Sequence, residues 1–171
     1  MDKIAYSIES FKNIQDLIKF AEQKAGAVLV LTGLILTEYI QFLGTLKFSG
    51  LEHITFFGIL TFITSITTFS SLLFVLCVTI FAVLKPKTAK HYDKEELSLF
   101  YYEHIYHAGK NKIATEYESI DENIMLKNII DQQHEISAIL KRKTIALSKI
   151  FNWLFISIIS VIIFIFLSNQ L

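Results

Sequence analysis

The chain has 171 residues, of which 53% are hydrophobic and 19% charged, more apolar side chain than a soluble domain of this length carries, and this points to a membrane. Sixteen basic and sixteen acidic residues cancel, which argues against a nucleic-acid binder. The lone cysteine, Cys77, lies in an apolar run and excludes a disulfide framework or a multi-cysteine zinc module.

One proline and six glycines are too few for a many-stranded fold, so an all-α chain is predicted. Residues 1–24 form an amphipathic helix, with Ile4, Ile8, Phe11, Ile14, Ile18, Ala21 and Ala25 at steps of three and four and charges on the other faces. The polar face is not predominantly basic, and no glycine or proline separates the stripe from the apolar run after it. A helix continuous with that run, its stripe against another protein helix, is therefore preferred to one lying on the membrane surface.

Residues 25–46 are apolar apart from Glu38 and Gln41 and make a first span. The charged stretch before it and the lack of a small-x-small exit predict a retained span, not a cleaved signal. A short loop, 47–53, leads to the longest apolar run, 54–84. Its thirty-one residues carry no acidic or basic side chain. That is too long for one perpendicular crossing and too short for two, so one tilted or overlong helix is expected.

Pro86 closes this second span. Residues 85–149 form a helical cytoplasmic segment, with a polar connector over 85–94, a short helix over 97–106 closed by Gly109, and a Ser119-x-x-Glu122 capping box. Met125, Ile129, Gln132, Ile136, Ile139, Lys143, Ala146 and Ile150 then keep heptad-like spacing. One helix is predicted from about residue 121 through a third span, 150–168, with 169–171 as a tail. The expected architecture is thus an integral membrane protein with three transmembrane helices and a helical segment between the second and third.

Lysine and arginine near span ends set orientation. Lys19, Lys24, Lys85, Lys87, Lys90, Lys94, Lys141, Arg142, Lys143 and Lys149 gather at one side, against Lys47 alone at the other. The N-terminus is expected to be cytoplasmic and the 47–53 loop and the tail external.

Signatures of chemistry are sparse. His104 and His107 lie three apart beside Glu103, but the sequence shows no third convergent ligand, so a metal site is not expected. There is no phosphate loop, nucleophile elbow or paired-carboxylate pattern, and an enzyme is not predicted. Glu38, at membrane depth, is either functional or reaches the interface. Thr61, Ser65, Thr68 and Ser71 share a face of span two, and Gly26, Gly33, Thr37 and Gly44 a face of span one. Both favour helix association, with oligomerisation the preferred form and pore lining the alternative.

Phe20-Ala21-Glu22-Gln23-Lys24-Ala25-Gly26 resembles the Ala-Asp-x-Lys-Ala-Gly entry motif of the Pycsar-type transmembrane effectors, the membrane arm of pyrimidine-cyclase anti-phage systems; Glu22 replaces the usual aspartate. Phe100-Tyr101-Tyr102-Glu103-His104-Ile105 resembles the family's Phe-x-x-His-Ile segment, and Gln133 and Lys143 fall where a Gln and a Lys precede its last span. The resemblance runs from about residue 15 to the end of span three. It implies a bacterial inner-membrane effector, multi-pass and without a cofactor. A partner pyrimidine nucleotide cyclase makes cyclic CMP or cyclic UMP on infection, and the effector impairs the membrane so that growth arrests. Such a ligand calls for a cation for its phosphate and a flat surface for its base. Arg142 or Lys143 with Tyr101, Tyr102 or Tyr106 would supply them if the short helix folds back on the base of the long one. Membrane lipids and further copies of the chain are the expected contacts, with no nucleic acid. The alternatives are a membrane scaffold whose cytoplasmic helices bind a partner, and a small channel or transport subunit.

Overall fold

The computed structural model describes residues 2–46, 55–86, 99 and 101–170, with the backbone alone at Tyr102 and Glu103. The 47–53 loop, most of the 85–94 connector, Phe100 and Leu171 lie outside the described residues.

The protein is all-α, with no strand among the described residues. Helix α1 spans Lys3–Thr45 without interruption, and Asp2 caps it by accepting the Ile4 amide at 2.9 Å. Helix α2 spans Phe56–Val78, capped by the Thr55 hydroxyl, which accepts the Gly58 amide. It continues as a π-helical segment, Thr79–Leu84. Where the wider turn begins, the Val75 carbonyl accepts both the Thr79 hydroxyl, at 2.7 Å, and the Thr79 amide. Lys85 then turns extended (φ −58°, ψ 127°) before Pro86, as a residue preceding proline must.

Helix α3 spans Tyr102–Ala108 and α4 spans Lys110–Ser119. Two sequence expectations change here. The expected start at Leu97 lies outside the described residues, and the helix described begins at Tyr102: Leu99 and Tyr101 are non-helical and buried, and Tyr101 is extended (φ −105°, ψ 115°). Gly109 separates α3 from α4 at φ 76°, ψ 156°, a conformation open to glycine, but the chain re-enters helix at once.

The capping box also moves. Ser119 is the last residue of α4, and its hydroxyl donates back to the Glu116 carbonyl. Asp121 caps the long helix α5, Glu122–Ser168, by accepting the Ile124 amide at 2.8 Å. The shorter acidic side chain sits where the backbone leaves its extended stretch at Ile120, and its charge complements the helix N-terminus. Replacing Asp121 by alanine is expected to cost about 1 kcal/mol in thermal unfolding followed by circular dichroism, and Ser119→Ala almost nothing.

The described chain divides into two compact units. Unit one comprises Met1–Phe20 and Pro86–Lys143. Along its part of α1 the stripe from Ile4 to Ile18 is half-buried while the charged residues are exposed. Along α5, Ile129, Ile136 and Lys143 are buried at seven-residue intervals.

Unit two comprises Ala21–Lys85 and Thr144–Leu171. It is a three-helix bundle of the apolar halves of α1 and α5 with α2, and each of these helices is long and apolar enough to cross a membrane. One core cluster joins Ala21, Ala25, Val28, Val75, Val83, Leu147, Ile150 and Leu154. The other joins Tyr39, Leu72 and Phe164, with the Tyr39 and Phe164 rings edge to face at 5.0 Å. Thr68 lies opposite Ser160 and Phe74 opposite Trp153, so α2 and α5 are antiparallel. Followed along that register, Lys149 falls level with Thr79, within about a turn. The α-helical part of α2, Phe56–Val78, at about 1.5 Å per residue, matches one crossing. The π segment accounts for the surplus length of the apolar run.

Candidate functional site

The residues named for nucleotide binding belong to unit one, and the structure sorts them by accessibility. Arg142 and Lys143 are neighbours on α5, so their side chains leave the helix about 100° apart. Lys143, on the heptad stripe, is 2% exposed and engaged by other residues of the chain. Arg142 is exposed. The tyrosines divide similarly. Tyr101 is 7% exposed, its ring 5.0 Å from that of His104 in an edge-on contact. Tyr106 is 81% exposed, its ring 5.3 Å from that of His107. The Tyr102 side chain lies outside the described residues. Arg142 and Tyr106 thus form the accessible part of the set, and Lys143 and Tyr101 the interior part. His104 and His107 each face a different tyrosine ring, an arrangement that uses both as packing partners.

The residues singled out by their order along the chain differ in their surroundings. Ala21 and Ala25 are buried in the first core cluster, where a methyl group permits α1 to approach α2 and α5 closely. Phe20 and Lys24 are exposed and Glu22 half-buried, each with a partner. Gly26 has open space where a Cβ would point. His104 and Ile105 are half-buried in α3. The Gln133 side-chain amide donates to the Ser7 carbonyl at 3.1 Å, tying α5 to α1 within unit one. A glutamine that satisfies a backbone acceptor across two helices fixes their register, and its loss strands a part-buried polar group.

In unit two the hydroxyl stripe of α2 faces inward. Thr61, Ser65, Thr68 and Ser71 are buried. The Tyr39 phenol donates to the Ser65 carbonyl at 2.8 Å and lies 3.0 Å from its hydroxyl, and Thr68 and Ser160 share a hydrogen bond at 2.6 Å. The association mediated by this stripe is therefore with α1 and α5 of the same chain. Tyr39 and Ser160 went unremarked in the sequence, although a phenol in an apolar span requires a partner. Glu135 also went unremarked: it is a buried, engaged carboxylate eight residues before Lys143.

The outward face of α1 is different. Thr37 and Gly44 are exposed and Gly26 and Gly33 half-buried, and a Cβ at any of the three glycines would meet nothing within 4 Å. Glu38 and Gln41 are exposed beside them and make no hydrogen bond among the described residues. The outward faces of α2 and α5 carry large apolar groups instead, among them Phe62, Ile66, Phe155, Ile162 and Phe166.

Of the candidate set, Arg142 is the accessible cation and Tyr106 the accessible ring, on a unit of mainly polar sequence that is joined in sequence to a bundle of spanning helices. Among known families, the profile of the Pycsar effector protein domain matches residues 7–168. The Pycsar effector protein TpPycTM of Treponema porcinum is 36% identical over 100 residues, covering 58% of this chain and 80% of that protein. No solved structure matches the chain.

Proposed function

Because the chain belongs to the Pycsar effector family of antiviral defense proteins, we propose that it is a ligand-gated membrane effector with no catalysis of its own. A partner pyrimidine cyclase makes cyclic CMP or cyclic UMP on infection. The nucleotide acts on the 85–149 segment, and the spanning helices then impair the bacterial inner membrane, arresting growth. The N-terminus and the 85–149 segment face the cytoplasm, where the nucleotide is made.

One observation carries this reading. Helix α5 runs unbroken from its Asp121 cap to Ser168, and Arg142 and Lys143 stand about two turns before its apolar run. A cyclic phosphate bound there acts on the same helix that crosses the membrane. Arg142 supplies the first cation and Tyr106 a face for the base, while Lys143 and Tyr101 exchange their interior partners on binding. Copies of the chain associate through the outward face of α1, where glycines permit close approach and Glu38 and Gln41 gain partners. The inward hydroxyl stripe favours this reading over a channel lined by that stripe.

Titrating the purified full-length chain in detergent with cyclic CMP and cyclic UMP, by calorimetry, tests direct sensing. Saturable binding of one of the two is expected. No heat and no thermal stabilisation with either would exclude it.

A further inference from the structure

Between α2 and α5, in unit two, lies a cleft of about 60 Å³ lined by Phe74, Val75, Val78, Lys149, Ile150 and Trp153. Its walls are apolar except at one end, where Lys149 opens the apolar stretch of α5. Lys149 is exposed and forms no hydrogen bond or ion pair among the described residues. No carboxylate lies one turn to either side of it on α5, where Ile145, Ala146, Asn152 and Trp153 stand, and none lines the facing wall. One turn deeper, Trp153 is 43% exposed and packs edge-on against Phe74, with ring centroids 5.2 Å apart. An amphipathic indole directly below a lysine is the arrangement found at the boundary between headgroups and acyl chains.

We infer that this cleft binds one anionic glycerophospholipid, its phosphate on Lys149 and the upper part of an acyl chain along Phe74, Val78 and Trp153. The charge at the rim chooses the occupant. A zwitterionic lipid fills the apolar floor equally well but brings its own cation to a site that already has one. An anionic headgroup supplies a counter-charge that the described residues around the cleft do not provide, and a single lysine near a membrane surface favours it by about fivefold. The occupied cleft would bridge α2 and α5 near the π segment.

The chain provides its own reporter, because Trp153 is the one tryptophan. The full-length protein is reconstituted in phosphatidylcholine vesicles containing a small fraction of lipid brominated on the acyl chain, either phosphatidylglycerol or phosphatidylcholine, and indole emission is recorded. Brominated phosphatidylglycerol is expected to reach half-quenching at about one-fifth the mole fraction that brominated phosphatidylcholine needs. Lys149→Gln should bring the two curves together, and Lys149→Arg should keep them apart. Glycerol phosphate added to the buffer should not relieve quenching. Equal quenching in the parent chain, a preference that survives Lys149→Gln, or relief by soluble glycerol phosphate would each overturn the proposal.

Discussion

Phe164→Ala is expected to destabilise the spanning bundle by about 2–3 kcal/mol, whereas Phe166→Ala, two residues further along the same helix, should change it by less than about 0.5 kcal/mol. Phe164 is fully buried and meets Tyr39 and Phe42 edge to face at 5.0 and 5.9 Å. Phe166 is 65% exposed. In water, truncating a buried phenylalanine costs more, because the transfer of the ring from solvent is lost as well as its packing. In a bilayer the lipid is as apolar as the core, so the transfer contribution nearly vanishes and the cavity and ring contacts remain. Thermal unfolding in detergent, followed by helical circular dichroism, separates the two variants. Equal losses in both would mean that α5 does not turn Phe164 towards α1.

The second large effect falls on the neighbouring cations. Removing the Lys143 side chain with Lys143→Ala takes one member from a buried interaction, and such a truncation costs about 1–3 kcal/mol. That variant should therefore unfold early, and its response to nucleotide is lost with the fold as well as with the side chain. Arg142→Ala removes an exposed group, should leave the unfolding temperature within a degree or two, and should weaken cyclic nucleotide binding by tenfold or more, the size of one lost charge-assisted contact. Arg142→Ala thus isolates sensing, because it leaves the fold intact. Unchanged nucleotide affinity in Arg142→Ala would remove that residue from the site. An unaltered unfolding curve in Lys143→Ala would show that its burial carries no structural weight.

The sequence made the broad architecture legible where a period or a run is long. Three apolar stretches located the spans, the heptad spacing located the buried face of α5 through Ile129, Ile136, Lys143 and Ile150, and Pro86 marked the end of the second span. Even the burial of Lys143 beside an exposed Arg142 was implicit in that spacing, since position 143 is on the stripe and 142 is not. What escaped had weak or competing local signals. Helix α4 is mostly polar, with only Ile113 and Tyr117 as larger apolar groups, so it shows little periodicity. Ser119 and Asp121 are both good caps at nearly the same place, and the choice between them depends on where the chain straightens after α4. The π segment leaves no trace in hydropathy, because Thr79–Leu84 simply continues the apolar run of α2. Among the site candidates, residue types and order were readable, but their division into accessible and interior members required the packing of unit one.

On the function proposed above, a cyclic pyrimidine nucleotide triggers membrane impairment by this chain. Its most direct measurement is membrane potential, followed with a voltage-sensitive dye in bacteria expressing the protein with and without a cyclase that makes cyclic CMP or cyclic UMP. The account predicts a stable potential without nucleotide and depolarisation, followed by growth arrest, within minutes of synthesis of the cognate nucleotide. Depolarisation of the same extent without any nucleotide, or a stable potential in the presence of both, would contradict it.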